Sequence, residues 1–344
     1  MSLADYEFKN TCYEILNKGL STEGQSVRAH WPDGTPAYTI ARFGIVNRFD
    51  LSREFPAVTL RKTPVKTATD EILWIWQQKS NNIHDLNAHI WDEWADSSGS
   101  IGSAYGYQMA QKHRCKDVTK EGLIKAFPNY EFAFVDYEGY DEHGQMISDP
   151  LINNHIMDFK EVFWDPETRR CAAVFAHGVW WMDQVDKVIY DLKVNPFSRR
   201  IMTTLWNLDD LDDMALQPCA WNTTFMVEQK PGHDKLTLNM SLHQRSQDVL
   251  AAWAFNTCQY AILQHMLAQV CDMEVGEFLH SDINCHIYDR HVEAVKELCS
   301  REPQPAPKFW LNPEVNDFYK FTPDDVRLDD YVVAGPQVEI EIAI

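Results

Sequence analysis

The stretch 218–256, PCAWNTTFMVEQKPGHDKLTLNMSLHQRSQDVLAAWAFN, decides the fold. Residues 224–229 and 235–243 read as two strands around the turn Pro231-Gly232-His233-Asp234. In the second of them Leu236, Leu238, Met240 and Leu242 alternate with polar residues, so one face of the strand is apolar. Directly beyond, residues 256–270 carry Tyr260, Leu263, Met266, Leu267 and Val270 at helical spacing. Strands that hand over to a strongly apolar helix predict an α+β domain, with the apolar sheet face buried against helices or against another subunit.

Working outward, residues 66–80, KTATDEILWIWQQKS, read as a second helix with Ala68, Ile72, Ile75 and Trp76 as its apolar positions. The stretch from about 112 to 182 differs in texture. It is rich in Asp, Glu, Asn and aromatics, its periodicity is poor, and it reads as an insertion packed on the surface of a single domain spanning 1–344. No internal repeat or low-complexity tract interrupts the chain.

Composition narrows the function classes. The chain has 344 residues, 45% of them hydrophobic, with 12 Trp, which suits a globular protein with a sizeable core. Apolar runs are short and broken by charge, and the start MSLADYEFKN lacks a signal-peptide pattern, so a soluble cytoplasmic protein without a membrane span is expected. A formal charge of -20 argues against a general nucleic-acid surface but leaves room for a small phosphate ligand, which needs only a few well-placed Arg. The eight Cys are scattered without CxxC pairs, which reads as reduced, mostly packed thiols.

One thiol stands apart. Cys219 follows Pro218 at the start of a strand, where it is held rigidly, and nearby cations would lower its pKa. Arg199, Arg200 and Arg245 are the candidate cations, and with Ser246 they have the makings of a phosphate clamp. Glu71 lies among Ile72, Leu73 and Trp74, either as a buried acid with a raised pKa or as a boundary residue. Cys285-His286 and His113/Cys115 lack metal spacing, so no metal is assigned, and Gly99, Gly102 and Gly106 do not form a phosphate loop.

In combination the motifs become specific. HIWDEWAD (89–96), IGSAYG (101–106), SRR (198–200), MALQPC (214–219), QRSQD (244–248), FN (255–256), HIY (286–288) and the final Ala-Ile resemble the thymidylate synthase family, in its order and near its spacing. The family includes thymidylate synthases and the pyrimidine-nucleotide hydroxymethylases of bacteriophages. The resemblance covers about residues 5–110 and 183–344 and leaves the insertion outside. It implies a mixed twisted sheet flanked by helices whose sheet face packs in a homodimer, and one-carbon transfer from 5,10-methylenetetrahydrofolate to C5 of dUMP.

The resemblance also assigns roles. Cys219 looks like the nucleophile that adds to C6 of the uracil. Glu71 resembles the general acid/base acting through water, and Tyr105 falls where the C5 proton is removed. Arg199, Arg200, Arg245 and Ser246, with Gln244, line the dUMP side, the paired Arg coming from the neighbouring subunit. Asn256 looks like the amide that reads N3 and O4 of uracil, where cytosine-specific members carry Asp. His286 and Tyr288 look like the pair that holds the sugar's 3′ hydroxyl. Ile90, Trp91, Trp94, Asp248 and Phe255 resemble the folate wall. Arg61 stands where a Lys usually meets the folate's glutamate tail, and Ile344 resembles the tail that closes over the cofactor.

Departures from the synthase pattern bear on the product. In place of Leu-Gly-x-Pro-Phe-Asn the chain has Ala251-Ala252-Trp253-Ala254-Phe255-Asn256, which adds a Cβ beside the folate and removes a Pro. Ile283-Asn284 replaces the usual Gly-Asp ahead of His286, and the loop Asp33-Gly34-Thr35-Pro36 lacks an Arg that Arg28 would replace. Altered folate contacts that admit water predict 5-hydroxymethyl-dUMP as the product and a phage-type deoxyuridylate hydroxymethylase. The alternatives are a divergent thymidylate synthase making dTMP and dihydrofolate, since Trp91 and Leu216 are retained, and a relative that binds nucleotide or folate without turnover.

Overall fold

A computed structural model describes residues 2–135 and 161–344, so the middle of the 112–182 segment lies outside the described residues. Helix α1 (Leu3–Lys18) starts at Ser2, whose hydroxyl accepts the Asp5 N–H at 3.1 Å and so satisfies one of the helix's free donors. Strands β1 (Leu20–Ser21) and β2 (Thr39–Asp50) follow, then helix α2 (Val65–Leu73), which widens into a π-helical turn at Trp74–Gln78. Helix α3 (Gly106–Ala110) leads to strand β3 (His113–Cys115), helix α4 (Lys120–Ala126) and strand β4 (Glu131–Phe134). Strands β5 (Glu161–Trp164), β6 (Cys171–Ala176) and β7 (Val179–Met182) precede helix α5 (Gln184–Val194). Then come β8 (Met202–Thr204), β9 (Ala220–Glu228), β10 (Thr237–Asp248), α6 (Ala254–Val270) and β11 (Glu274–Tyr288). Helix α7 (Val292–Ser300) and the strand pair β12 (Lys308–Leu311) and β13 (Val326–Asp329) complete the order.

Six strands form the main sheet in the order β1-β2-β11-β10-β9-β8. Only β10 and β11 run parallel, joined through α6; the other pairs are antiparallel. The predicted α+β class and mixed sheet therefore hold. Both β9 and β10 run further than their apolar alternation, because the ladder continues from Thr237↔Glu228 to Gln244↔Ala220 through polar side chains. The register slips between His243 and Gln244, and such a bulge re-aims the side chains beyond it. It lies one strand from Cys219, where the Arg245 N–H donates to the Cys219 carbonyl at 2.9 Å.

Helix α6 is buried almost all round, including Cys258, Ala261 and Ile262 as well as the predicted Leu263, Met266 and Leu267. It packs against α2 on one side and the sheet on the other. The described part of the 112–182 segment is more ordered than its texture implies. Its five short strands make a second sheet, β3-β7-β6-β5-β4, whose Phe163, Ala172, Ala173, Trp180 and Met182 join the main core. Strands of three to six residues, two of them buried on nearly every side chain, carry no alternation for a periodicity to detect.

Candidate active site

One cavity of about 280 Å³ collects most of the predicted site. Cys219, Gln244, Arg245, Ser246, Asp248, Asn256, His286, Tyr288, Trp94 and Ile344 all line it, together with Leu216, Ala251 and Ala252. The elements explain the gathering. Gln244, Ser246 and Asp248 occupy every second position at the end of β10, and His286 and Tyr288 do so on the parallel neighbour β11, so all five share a face. Asn256 sits in the first turn of α6, which rises from that same strand end.

The thiol is half-buried, and its loop is braced from two sides. The Arg245 guanidinium donates to the Gln217 carbonyl at 2.7 Å and to the Pro218 carbonyl at 3.0 Å. The Tyr105 hydroxyl accepts the Cys219 N–H at 3.3 Å. Tyr105 has φ +44°, a conformation that costs a bulky residue energy and is kept only where its surroundings impose it. Glycines provide the close approach that does so. A Cβ on Gly102 would lie 2.0 Å from the Asp213 carbonyl oxygen, and one on Gly106 would lie 2.0 Å from that of Ser80. Gly102 brings IGSAYG against the segment that leads to Cys219, and Gly106 brings it against Ser80 beyond the π-helical turn, rather than cradling phosphate.

Burial, not cations, sets the direction of the Cys219 pKa. It pushes the thiol up, while Arg245 and Arg28 pull against it without winning. This corrects the expectation of a lowered value. Arg199 and Arg200 are exposed at the turn before β8 and do not line the cavity. Arg28 does line it, at the place where the sequence lacks the usual loop Arg.

Behind the cavity wall lies the acid. Glu71 is buried on α2, and desolvation pushes its pKa up to about 7 against two hydrogen bonds that stabilise the anion. The Trp91 indole donates to one oxygen at 2.6 Å and the Gln259 amide donates to the other. Gln259 in turn accepts from the Asn256 amide at 3.2 Å. Asn256 and Gln259 are three residues apart on α6 and share a helical face; that spacing was the signal by which Gln259 was findable in the sequence.

The folate-wall candidates divide. Trp94 and Asp248 face the cavity, and Asp248 also accepts the Ala251 N–H at 3.1 Å. Trp91 is buried between Glu71 and Tyr105, its ring 4.9 Å from the Tyr105 ring. Ile90 is exposed, and Phe255 is half-buried outside the cavity lining. Arg61 is buried beneath the wall, where its guanidinium donates to the Leu250 carbonyl and, at 3.4 Å, to that of Ala251. It holds the turn rather than facing the cavity. The C-terminal residues close the other side: Ile344 exchanges backbone hydrogen bonds with His30, at 2.7 and 3.0 Å. Arg290 ties the tail down by pairing with both Glu341 and Asp33.

The departures at 251–256 prove conformationally mild. Val249–Trp253 forms a π-helical turn that runs directly into α6, and Trp253 and Ala254 have φ of -58° and -65°. Ala fits there without strain. Asn284 likewise offers its side-chain oxygen to His286 Nδ1 at 3.0 Å, supplying the acceptor that the missing carboxylate would have provided.

A family model for thymidylate synthase matches residues 6–344. The chain belongs to the thymidylate synthase family. It is 36% identical to the thymidylate synthase of Bacillus mojavensis over 348 residues, covering 100% of both chains. The thymidylate synthase of Bacillus phage phi3T is as similar, again with 100% of both chains covered. The solved thermostable thymidylate synthase A from Bacillus subtilis superposes with a TM-score of 0.74 at 35% identity, covering 99% of each chain. The matches run through the 112–182 segment as well as the motifs. Among the described residues no cluster of His, Cys, Asp or Glu is placed to hold a metal ion, and no helix is long and apolar enough to cross a membrane.

Proposed function

We propose that this member of the thymidylate synthase family makes dTMP and dihydrofolate from dUMP and 5,10-methylenetetrahydrofolate. The observation that carries the reading is the folate wall. Its Ala252–Ala254 run lies where a π-helical turn passes into α6 without strain, capped by Asp248, held by Arg61 and faced by the C-terminal tail. A wall so braced supports a pterin held in place beside the methylene intermediate, and water exclusion by a closing tail favours hydride transfer. Relatives that match end to end are named thymidylate synthases, which favours this product over the hydroxymethylated one.

The roles follow from position. The Cys219 thiolate forms a bond to C6 of the uracil, leaving an enolate that attacks the donor's methylene carbon from C5. Glu71, close to neutrality in pKa and linked through Gln259 to Asn256, exchanges protons near O4 and the departing folate nitrogen. Tyr105 sits at the Cys219 backbone, placed to assist removal of the C5 proton. Arg245, Ser246 and Arg28 face the phosphate, with His286 and Tyr288 at the sugar and Gln244 beside the base. Trp94 and Asp248 meet the pterin, while Arg61, Trp91, Phe255 and Ile90 support or border it.

A homodimer completes the site in this reading. Arg199 and Arg200 are exposed away from their own cavity, and the main sheet leaves Phe43, Val46, Met202, Met226 and Ile283 uncovered, an apolar patch of the kind that marks an interface. The product test is direct: incubate the protein with dUMP and methylenetetrahydrofolate, follow dihydrofolate by absorbance and identify the nucleotide by mass spectrometry. One dihydrofolate per dTMP is expected. A hydroxymethylated nucleotide with no dihydrofolate overturns the proposal.

A further inference from the structure

Deep in the sheet, behind the residues that line the cavity, lies a buried histidine–carboxylate pair. His280 and Asp282 are both fully buried on β11, on the strand face that also carries His286 and Tyr288. The parallel register sets Asp282 directly beside Gln244. His280 Nε2 lies 2.5 Å from the Gln244 side-chain oxygen and 3.1 Å from an Asp282 carboxylate oxygen. Both are acceptors, so Nε2 carries a hydrogen. On the other side of the ring, Nδ1 lies 3.1 Å from the Thr257 hydroxyl, whose own hydrogen goes to the Trp253 carbonyl at 2.7 Å.

Neither Asp282 oxygen has a hydrogen-bond partner among the described residues, so the Nε2 hydrogen of His280 is directed at Gln244 rather than at the carboxylate.

That donor sets the sense of everything downstream. Gln244, accepting from His280 with its oxygen, donates its amide nitrogen to the Asn256 oxygen at 3.4 Å. Asn256 then donates to Gln259, and Gln259 to Glu71. Each amide in the row gives with nitrogen and receives with oxygen, from the His280 N–H at one end to the Glu71 carboxyl at the other. The sense matters because an Asn amide reads uracil in one orientation and cytosine in the flipped one, presenting an acceptor to N3–H and a donor to O4, or the reverse. An unrestrained Asn discriminates poorly between them.

We propose that His280 is a positioning residue that locks the Gln244–Asn256 amides in the uracil-reading sense and so enforces dUMP over dCMP. The inference rests on the assignment of dUMP as substrate made above. It is tested by calorimetric binding of dUMP and dCMP to the wild type, His280→Leu and His280→Gln. Leu removes the donor, while Gln replaces it with an amide N–H. The dUMP preference is expected to shrink about tenfold in His280→Leu, the value of one oriented buried hydrogen bond, and to be retained in His280→Gln. A merely structural role would weaken both nucleotides alike, so an unchanged preference in His280→Leu overturns the inference while leaving the function intact. A wild type with no dUMP preference overturns both. Where His280→Leu does not fold, ¹⁵N-histidine spectra of the wild type decide: the ring signal lost in His280→Gln should show a hydrogen on Nε2, and a ring with a bare Nε2 overturns the inference.

Discussion

Cys219 and Glu71 are two reactive groups on opposite sides of one wall, and burial raises the pKa of both. What opposes the burial differs. The thiol has guanidinium groups nearby, Arg245 and Arg28, and opens onto the cavity. Among the described residues no cation acts on the acid, only the N–H donors of Trp91 and Gln259. Charge at the thiol is changeable, because ligand phosphate and, in the proposed dimer, the neighbouring Arg pair alter the local field. The environment of the acid is fixed by packing. In the proposed roles, a nucleophile switched on by substrate and a proton carrier poised near neutrality are served by two kinds of surroundings.

Breaking the acid side should have the larger effect. Glu71→Gln keeps the hydrogen-bonding shape but cannot exchange a proton, and turnover is expected to fall on the order of 10²–10⁴-fold, as for other general acid/base groups. The same variant reads the pKa through stability. A carboxyl raised to about 7 when folded favours the native state fully below its unfolded value of about 4.3, and that contribution is lost as pH rises through 7. Wild-type stability should therefore fall relative to Glu71→Gln between about pH 4.5 and 7, by roughly 3 kcal/mol, and then level off. Denaturant titrations at several pH values check this.

Weakening the surroundings of the thiol while keeping the thiol itself should be milder. Arg245→Met removes two charge-assisted hydrogen bonds to the Cys219 loop and one of the cations opposing burial. Alkylation of Cys219 by iodoacetamide at pH 8 is expected to slow, and dUMP affinity to drop by roughly 10–100-fold. Equal alkylation rates would mean that Arg245 does not tune the thiol. The smallest effect concerns the tail. Arg290→Ala frees exposed ion pairs to Asp33 and Glu341, which are worth less than about 1 kcal/mol. The KM for folate should rise about 2–5-fold, with dUMP binding unchanged.

Much of this was legible before the structure, for a physical reason. Cys219, Arg245, Asn256 and His286 lie in short motifs whose order along the chain is the order in which strand ends meet at one cavity. The sense of the Cys219 pKa was not legible, because burial depends on how Tyr105, Leu216 and the C-terminal tail come together around the thiol. Arg61 was misread as a cavity group, since nothing local shows that its guanidinium turns inward to the Leu250 carbonyl. His280 and Asp282 sit at strand positions two apart, but their partner Gln244 is 36 residues from His280 in sequence. The second sheet was hidden because short strands buried on nearly every side chain leave no pattern.

The central claim is that Cys219 bonds to C6 of dUMP and makes C5 exchangeable. Tritium release from C5-labelled dUMP, measured with methylenetetrahydrofolate for the wild type and for Cys219→Ser, tests it most directly. The account predicts release by the wild type and a loss on the order of 10⁴-fold or more in Cys219→Ser, as when a covalent nucleophile is removed. Undiminished release by Cys219→Ser, or none by a wild type that binds dUMP, would contradict it.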